Sequence, residues 1–274
     1  MQSTQKNIKN NNLLININKL NVFFNTPEGL SHVVKDVNFN VKKGTCLGVV
    51  GESGSGKTQT FFSITGLLAK NGYAEGEANF KNYNLITCDD KIRRGFLGKS
   101  IGFIFQDPMT SLTPHLKIGD QLAEIAIYHK KITKSEALQR AAEVMDVVKL
   151  PNNRDIINSY PHELSGGMKQ RVMIAISLMC EPDLIIADEP TTALDVTTQA
   201  EILSIFKDLK NNLNIGLVLI SHNIGVIAET SNQVLVMKNG QILENGNTHE
   251  VLTKPKNDYT KHLLSCIRAR NRQK

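Results

Sequence analysis

Cysteine is scarce in this 274-residue chain, and its four cysteines are far apart in sequence. They stand at Cys46, Cys88, Cys180 and Cys266, and no CxxC pair occurs among them. This spacing argues against a metal site built from cysteine ligands. Cys46 and Cys180 lie in or beside apolar runs, which predicts buried thiols in a reducing compartment.

The sequence also lacks a long apolar run. The best candidate, residues 172–187, is interrupted by Glu181, Pro182 and Asp183 and falls short of the roughly 20 residues that span a bilayer. Residues 1–12 are polar and rich in asparagine, without the apolar core of a signal peptide. We therefore expect a flexible tail over residues 1–12, and a chain that stays in the cytoplasm unless a partner holds it at a membrane.

Acidic residues are outnumbered by basic ones, and the net charge is +6. Part of the excess is in a basic C-terminal tail, residues 266–274, at Arg268, Arg270, Arg272 and Lys274. No basic stripe is interleaved with aromatic residues, so we expect no nucleic-acid partner. The charge suits nucleotide phosphates or an anionic membrane face.

One stretch, residues 51–58, matches the phosphate-loop template of two glycines followed by lysine and a hydroxyl residue. Its members are Gly51, Glu52, Ser53, Gly54, Ser55, Gly56, Lys57 and Thr58. The apolar run 46–50 before it predicts a buried strand, and residues 59–68 after it have helical spacing. This strand–loop–helix context favours a nucleotide site over the alternative, a Gly/Ser-rich turn with a chance lysine.

The residue types of this loop explain how it would bind a nucleotide. Its glycines let backbone amides face an anion, and the following helix directs its positive end at the same point. Lys57 is expected to reach the β- and γ-phosphates, and the Thr58 hydroxyl is expected to bind Mg²⁺. We therefore assign the whole loop to cofactor binding.

Polar residues follow the later buried strands. Gln106 follows the apolar run 100–105, and Asp188 and Glu189 end the run 183–187. Open α/β sheets bind ligands at the carboxyl ends of their strands. Asp188 is placed to hold Mg²⁺, and Glu189 to polarise a water molecule against the γ-phosphate. His222 follows the run 215–220, and we favour a γ-phosphate contact for it over a structural role.

Three further segments complete the pattern. Residues 13–41 alternate as antiparallel strands beside the nucleotide site, and either Phe23 or Phe24 can stack on adenine or pack in the core. Residues 116 to about 160 have helical spacing and form an insert that is suited to contact another protein. Ser165, Gly166 and Gly167 precede a further helix, where they can form a second anion-binding terminus or only a helix cap.

Taken in order, these residues resemble the ATPase of an ABC transporter. The resemblance covers residues 13–265 and rests on the loop 51–58, Gln106, Leu164–Gln170, Leu184–Glu189, Ala193–Asp195 and His222. It implies an α/β P-loop NTPase fold with a parallel core sheet, an N-terminal antiparallel β subdomain and an inserted α-helical subdomain, about 107–175.

The resemblance also implies roles. Lys57 and Thr58 would bind phosphates and Mg²⁺, with Asp188 on the metal and Gln106 on both the metal and the attacking water. Glu189 would be the general base and His222 a γ-phosphate sensor. ATP would be shared with a second ATPase subunit. Ser165 and Gly167 would act across the interface between the two subunits. Asp195 would couple the two nucleotide sites. Phe24 would stack on adenine.

Four segments resemble the oligopeptide and dipeptide importer ATPases in particular: Val50–Thr60, Phe105–Leu112, Tyr160–Met168 and Ala187–Val196. Nickel importer ATPases share much of the same sequence. The chain ends without the Cys- and Pro-rich tail that is usual in peptide importers, which weakens the case for peptides against nickel or another small solute. We expect an importer of oligopeptides or dipeptides, with an importer of nickel or another small solute as the alternative. Asn223 stands where the family usually has aspartate. The implied partners are membrane permease subunits at the cytoplasmic face, a related or identical ATPase subunit and, indirectly, a solute-binding protein.

Two other classes compete with this reading. One is a soluble ABC ATPase that acts on DNA or ribosomes, but such proteins usually carry long coiled-coil, zinc or tandem-domain insertions. The other is a nucleotide-binding switch without turnover, which the intact Glu189 and His222 argue against.

Overall fold

A computed structural model describes residues 12–151 and 153–271, apart from the side chains at positions 109, 153, 154 and 266–271. The strands are β1 (Leu13–Thr26), β2 (Gly29–Lys42), β3 (Cys46–Val50), β4 (Gly72–Phe80), β5 (Tyr83–Asn84), β6 (Ile101–Ile104), β7 (Leu184–Asp188), β8 (Gly216–Ser221), β9 (Gln233–Lys238) and β10 (Gln241–Asn247). The helices are α1 (Lys57–Thr65), α2 (Asp90–Phe96), α3 (Pro108–Ser111), α4 (Ile118–Lys130), α5 (Lys134–Val147), α6 (Asn153–Asn158), α7 (Gly166–Leu178), α8 (Val196–Asn212), α9 (Ile224–Thr230), α10 (Thr248–Thr253) and α11 (Asp258–Asn271).

The larger sheet has the strand order β10-β9-β3-β8-β7-β6. Its strands pair in parallel except β10, which is antiparallel to β9. Every residue of β3, β7 and β8 is buried, because helices or the second sheet cover both faces. This burial explains why these strands are continuous apolar runs in the sequence. Their parallel pairing places their carboxyl ends at one edge of the sheet.

The smaller sheet is antiparallel, in the order β2-β1-β4-β5. It shares a core with the larger sheet and with α1, in which Leu20, Val37, Val49, Phe61 and Ile64 are buried together. The predicted α/β fold with a parallel core sheet and an N-terminal antiparallel subdomain is confirmed.

The helical insert lies between β6 and β7. Helix α5 begins with a capping box, in which the Thr133 side chain accepts from the Glu136 amide and Glu136 accepts from the Thr133 amide. Its inner face, with Ala137, Ala141 and Val144, is buried against neighbouring helices. The boundaries near 107 and 175 remain a prediction, since α3 begins at Pro108 and α7 ends at Leu178.

The ends of the chain are only partly described. The tail predicted over residues 1–12 lies outside the described residues except for Asn12, and so do Arg272 and Lys274. Helix α11 runs to Asn271 and thus includes the first part of the basic segment. Within the described ranges, no helix has both the length and the apolar character that crossing a bilayer demands.

Two cysteine predictions can be compared with the structure. Cys46 and Cys180 are buried, as expected, and burial raises the pKa of Cys46 to about 11. Such a thiol stays protonated and unreactive at neutral pH. The side chain of Cys266 lies outside the described part of the chain.

Candidate nucleotide-binding site

The carboxyl ends of β3, β6, β7 and β8 surround a cavity of about 690 Å³. The described residues that line it are Val33, residues 53–59, Gln106, Glu189 and His222. Three separate strand ends thus deliver Gln106, Glu189 and His222 to the mouth of the phosphate loop. The sheet topology explains this convergence, since parallel neighbours end at the same edge.

The phosphate loop is fixed by close backbone packing. A Cβ atom on Gly51 would come within 2.2 Å of the Met237 carbonyl oxygen, so a side chain cannot be accommodated there. Gly56 has φ 95°, a left-handed conformation that glycine adopts without strain, and it immediately precedes α1. The loop therefore enters against β9 and leaves into a helix whose amino end faces the cavity.

Lys57 lies inside the loop rather than in solvent. Its ammonium group donates to the carbonyl oxygens of Gly51 and Glu52 at 2.8 and 2.9 Å, and to the Ser55 hydroxyl at 3.4 Å. The residue is only 6% exposed, and burial lowers the pKa of its amine, while Glu189, Asp188 and Glu52 oppose that shift. A cation is thus poised where the loop amides would hold an anion.

Thr58 and Asp188 are in direct contact. The Thr58 hydroxyl donates to Asp188 Oδ2 at 2.8 Å, and Asp188 is 5% exposed. Burial raises the pKa of Asp188, an effect that the Thr58 hydrogen bond opposes. A buried carboxylate and a neighbouring hydroxyl are hard oxygen ligands of the kind that Mg²⁺ takes together with substrate phosphates. The residues present fit that ion.

Glu189 is the centre of a hydrogen-bond network. Its Oε2 atom accepts from Gln106 Nε2 at 3.3 Å and from the Thr192 hydroxyl at 2.9 Å. His222 Nδ1 lies 2.9 Å from the same oxygen and donates to it, because a carboxylate can only accept. Glu189 has φ 47°, a strained value for a non-glycine residue. The structure thus joins the three residues that the sequence analysis predicts to be catalytic.

The sequence analysis did not identify Thr192. A threonine three residues after an acidic residue is ordinary in a turn, so the pattern itself carried no signal. Its role is visible only in the folded turn, where the Thr192 amide also donates to the Glu189 carbonyl oxygen at 3.1 Å.

Eight predicted residues are not among the described residues that line this cavity. Gly51, Glu52, Phe24 and Asp188 are four of them, and the other four are at helix ends: Ser165, Gly166, Gly167 and Asp195. Ser165 caps α7, and its hydroxyl accepts from the Met168 amide at 3.3 Å. Asp195 caps α8, and hydrogen bonds from Thr198 lower the pKa of its carboxyl. Both caps are exposed, so these helix ends face outward from the subunit.

The structure distinguishes Phe23 from Phe24. Phe24 packs against the core that contains Phe61, and a Cβ atom on Gly72 would meet its ring at 2.6 Å. Phe23 points to the other face of the sheet, where it stacks on His32 and Tyr73 with ring centroids 4.3 and 5.1 Å apart.

Asn223, the departure from the family pattern, is the N-cap of α9. Its side chain accepts from the Gly225 amide at 2.9 Å. Asparagine and aspartate are both favoured at this position, so the departure leaves the helix start intact.

Several known proteins are similar to this chain in sequence. Residues 34–192 match the family model described as ABC transporter. The chain is 44% identical over 256 residues to the oligopeptide transport ATP-binding protein OppD of Salmonella typhimurium, covering 93% of this chain and 76% of that protein. It is 42% identical over 256 residues to the dipeptide transport ATP-binding protein DppD of Bacillus subtilis, again covering 93% and 76%.

Solved structures share the fold. The dimeric ATP-binding cassette MJ0796 bound to ADP and Pi superposes with a TM-score of 0.77 at 28% identity, covering 86% of this chain and 99% of that one. The cbiO1 component of the cbiONQ transporter of Clostridium perfringens gives a TM-score of 0.75 at 28% identity, covering 89% and 92%. On its sequence and its fold, the chain belongs to the ABC transporter ATP-binding family.

Proposed function

We propose that this chain is the ATP-binding and ATP-hydrolysing subunit of an ABC importer that powers uptake of oligopeptides or dipeptides across the cytoplasmic membrane. The observation that carries the catalytic part is the meeting of Gln106, Glu189 and His222 at the phosphate loop. The peptide part is supported by relatives named for oligopeptide and dipeptide transport at 42–44% identity over most of the chain. Those names favour peptides over nickel and over a role on nucleic acid.

The loop 51–58 binds the phosphates of ATP in this proposal. Its amides and the amino end of α1 face the β-phosphate, and Lys57 exchanges its bonds to loop carbonyls for bonds to the β- and γ-phosphates. Thr58 and Asp188 hold Mg²⁺, with Gln106 as a further ligand. When bound, this ion neutralises charge on the phosphate oxygens. Phe24, on the face of β1 toward α1, stacks on adenine.

Glu189 acts as the general base. Its carboxylate accepts a proton from the water that attacks the γ-phosphorus, while Gln106 orients that water. The bond from this phosphorus to the β–γ bridging oxygen breaks, and ADP and phosphate leave. His222 turns from Glu189 to the γ-phosphate and holds it. The network around Oε2 therefore supports this role, because it holds the base beside Gln106 and His222.

A second ABC ATPase subunit completes the site. Ser165 and Gly166 are exposed and Gly167 is half-buried at the amino end of α7, an arrangement that suits an anion presented by another subunit. Asp195 and α8 lie at the same outward face and couple the two sites. The helical insert receives the membrane permease subunits at the cytoplasmic face, and the solute-binding protein acts only through them.

The decisive variant is Glu189→Gln in the assembled transporter. Removing the base while keeping the shape is expected to reduce ATP turnover by about 100-fold or more, with ATP binding retained. Unchanged turnover would show that Glu189 is not the base.

The solute is tested separately. Cells that lack this chain are given it back, and uptake of labelled peptides is compared with uptake of nickel. Restored peptide uptake supports the proposal, whereas restored nickel uptake alone would transfer the assignment to the nickel importers.

A further inference from the structure

The C-terminal helix α11 makes a direct hydrogen bond to the phosphate loop. The Tyr259 hydroxyl, in the first turn of α11, accepts from the backbone amide of Glu52 at 3.2 Å. Tyr259 is 8% exposed and packs with the core that holds the larger sheet together. Two segments separated by 207 positions along the chain are thereby joined at the nucleotide site.

The bonded peptide group is the one that Lys57 also contacts. The peptide unit between Gly51 and Glu52 has two polar ends, the Gly51 carbonyl and the Glu52 amide. The carbonyl accepts from Lys57 Nζ at 2.8 Å, while the amide donates to Tyr259. One peptide plane is therefore held from one side by the phosphate-binding lysine and from the other by α11.

Other contacts fix Tyr259 itself. Lys238 Nζ lies 4.4 Å from the centroid of its ring, and Lys238 ends β9, the strand beside β3. The Tyr259 amide donates to Asn257 Oδ1 at 2.9 Å, and the Asn257 amide in turn donates to Glu244 at 3.1 Å. Burial raises the pKa of Tyr259, so the hydroxyl stays protonated at neutral pH.

We infer that Tyr259 is a positioning residue for the phosphate loop, through which α11 and nucleotide occupancy influence each other. When Lys57 leaves the Gly51 carbonyl for a phosphate, the Tyr259 bond is the contact that continues to hold this peptide plane. The inference rests on the proposed function in one respect, that the loop 51–58 binds nucleotide. Coupling of this kind is reciprocal, so nucleotide must also stabilise the start of α11.

The test is a titration of the full chain with the fluorescent nucleotide mant-ADP in the presence of Mg²⁺. Tyr259→Phe removes only the hydroxyl and keeps the ring beneath Lys238. It is expected to weaken mant-ADP binding by about three- to tenfold, the range set by one hydrogen bond. Tyr83→Phe, at an exposed tyrosine of β5, serves as the matched control and should bind as the wild type does.

Hydrogen exchange gives a second, independent readout on the wild-type chain. ADP with Mg²⁺ should slow amide exchange in the first turns of α11, and Tyr259→Phe should abolish that slowing. Equal affinity of Tyr259→Phe and wild type, or no effect of ADP on α11 in a wild-type chain that binds it, would overturn the inference. Failure of the wild-type chain to bind mant-ADP would instead contradict the proposed function itself.

Discussion

At the scale of single residues, Asp188 and Asp183 lie at opposite ends of the same buried strand segment, and their pKa values are shifted in opposite directions. Burial raises the pKa of Asp188, so the folded chain binds its proton more tightly than the unfolded chain does. Ionisation of Asp188 therefore lowers the free energy of unfolding. This loss vanishes only at pH values below the pKa that aspartate has in the unfolded chain, about 4. In the proposed function, a cation bound with the nucleotide at this edge would offset that cost.

We predict that Asp188→Asn raises the melting temperature of the nucleotide-free chain by a few degrees at pH 7, measured in a chelator. The gain should shrink as the pH falls and disappear below about pH 4, where both states of the wild type are protonated.

Asp183→Asn is the matched control with the opposite sign. Partial burial raises the pKa of Asp183, but bonds from Lys81 and Lys43 outweigh it and leave that pKa lowered. Its stabilisation is present at neutral pH and lost as the pH falls through the folded value. Asp183→Asn should therefore lower the melting temperature at pH 7. A gain from both variants would contradict the electrostatic explanation.

The Thr192 hydroxyl donates a hydrogen bond to the Glu189 carboxylate. In the proposed mechanism Gln106 and His222 turn to the water and the phosphate during turnover, which would leave the Thr192 hydroxyl as the described donor that orients the carboxylate. Thr192→Val should lower kcat of the assembled transporter by about three- to tenfold with KM for ATP nearly unchanged. Thr192→Ser keeps the hydroxyl and should restore the rate. Equal rates for the valine and wild-type chains would exclude this role.

At the scale of elements, alternation along β1 separates the two aromatic candidates for adenine. Val22 and Phe24 share the face toward the core, while Phe23 lies on the other face with His32 and Tyr73. Phe24→Ala should therefore raise KM for ATP by about fivefold to 100-fold, since base–aromatic stacking is worth about 1–3 kcal/mol. Phe23→Ala should leave it within about twofold, and the reverse result would assign adenine to Phe23.

The bounds of several strands and helices could be predicted from the sequence. Strand β3 has the predicted bounds 46–50, and the apolar runs 183–187 and 215–220 lie within a residue of β7 and β8. Fully buried strands are easy to identify because they have no polar face. Helices α2, α9 and α10 were not predicted, since six or seven residues hold too few apolar positions to show a period.

Some residues of the candidate site could be predicted from the sequence and others could not. Residues that follow buried strands, such as Gln106 and His222, were identified because parallel topology fixes where strand ends meet. Tyr259 and Thr192 were missed because their contacts depend on long-range docking or on turn geometry, neither of which leaves a local pattern. The strand order of the larger sheet was likewise beyond reach, since it depends on pairings between distant segments.

At the scale of the whole molecule, the amino end of α8 exposes an apolar residue beside the residues assigned to the partner subunit. Val196 follows Asp195 directly and is 81% exposed. If a second ATPase subunit covers this face, Val196 becomes buried there, and a charge at that position must oppose the pairing. An acidic residue at a helix amino end suits the helix dipole, so the isolated subunit itself should stay stable.

We therefore predict that Val196→Asp abolishes most ATP turnover of the assembled transporter while mant-ADP binding by the isolated chain stays as in the wild type. The matched control is Leu213→Lys at the carboxyl end of α8, where Leu213 is 51% exposed and a cation suits the dipole. This end lies near the amino ends of β7 and β8, away from the nucleotide, so the control should keep its turnover. Turnover lost in Leu213→Lys and kept in Val196→Asp would place the partner subunit on the opposite edge of the sheet.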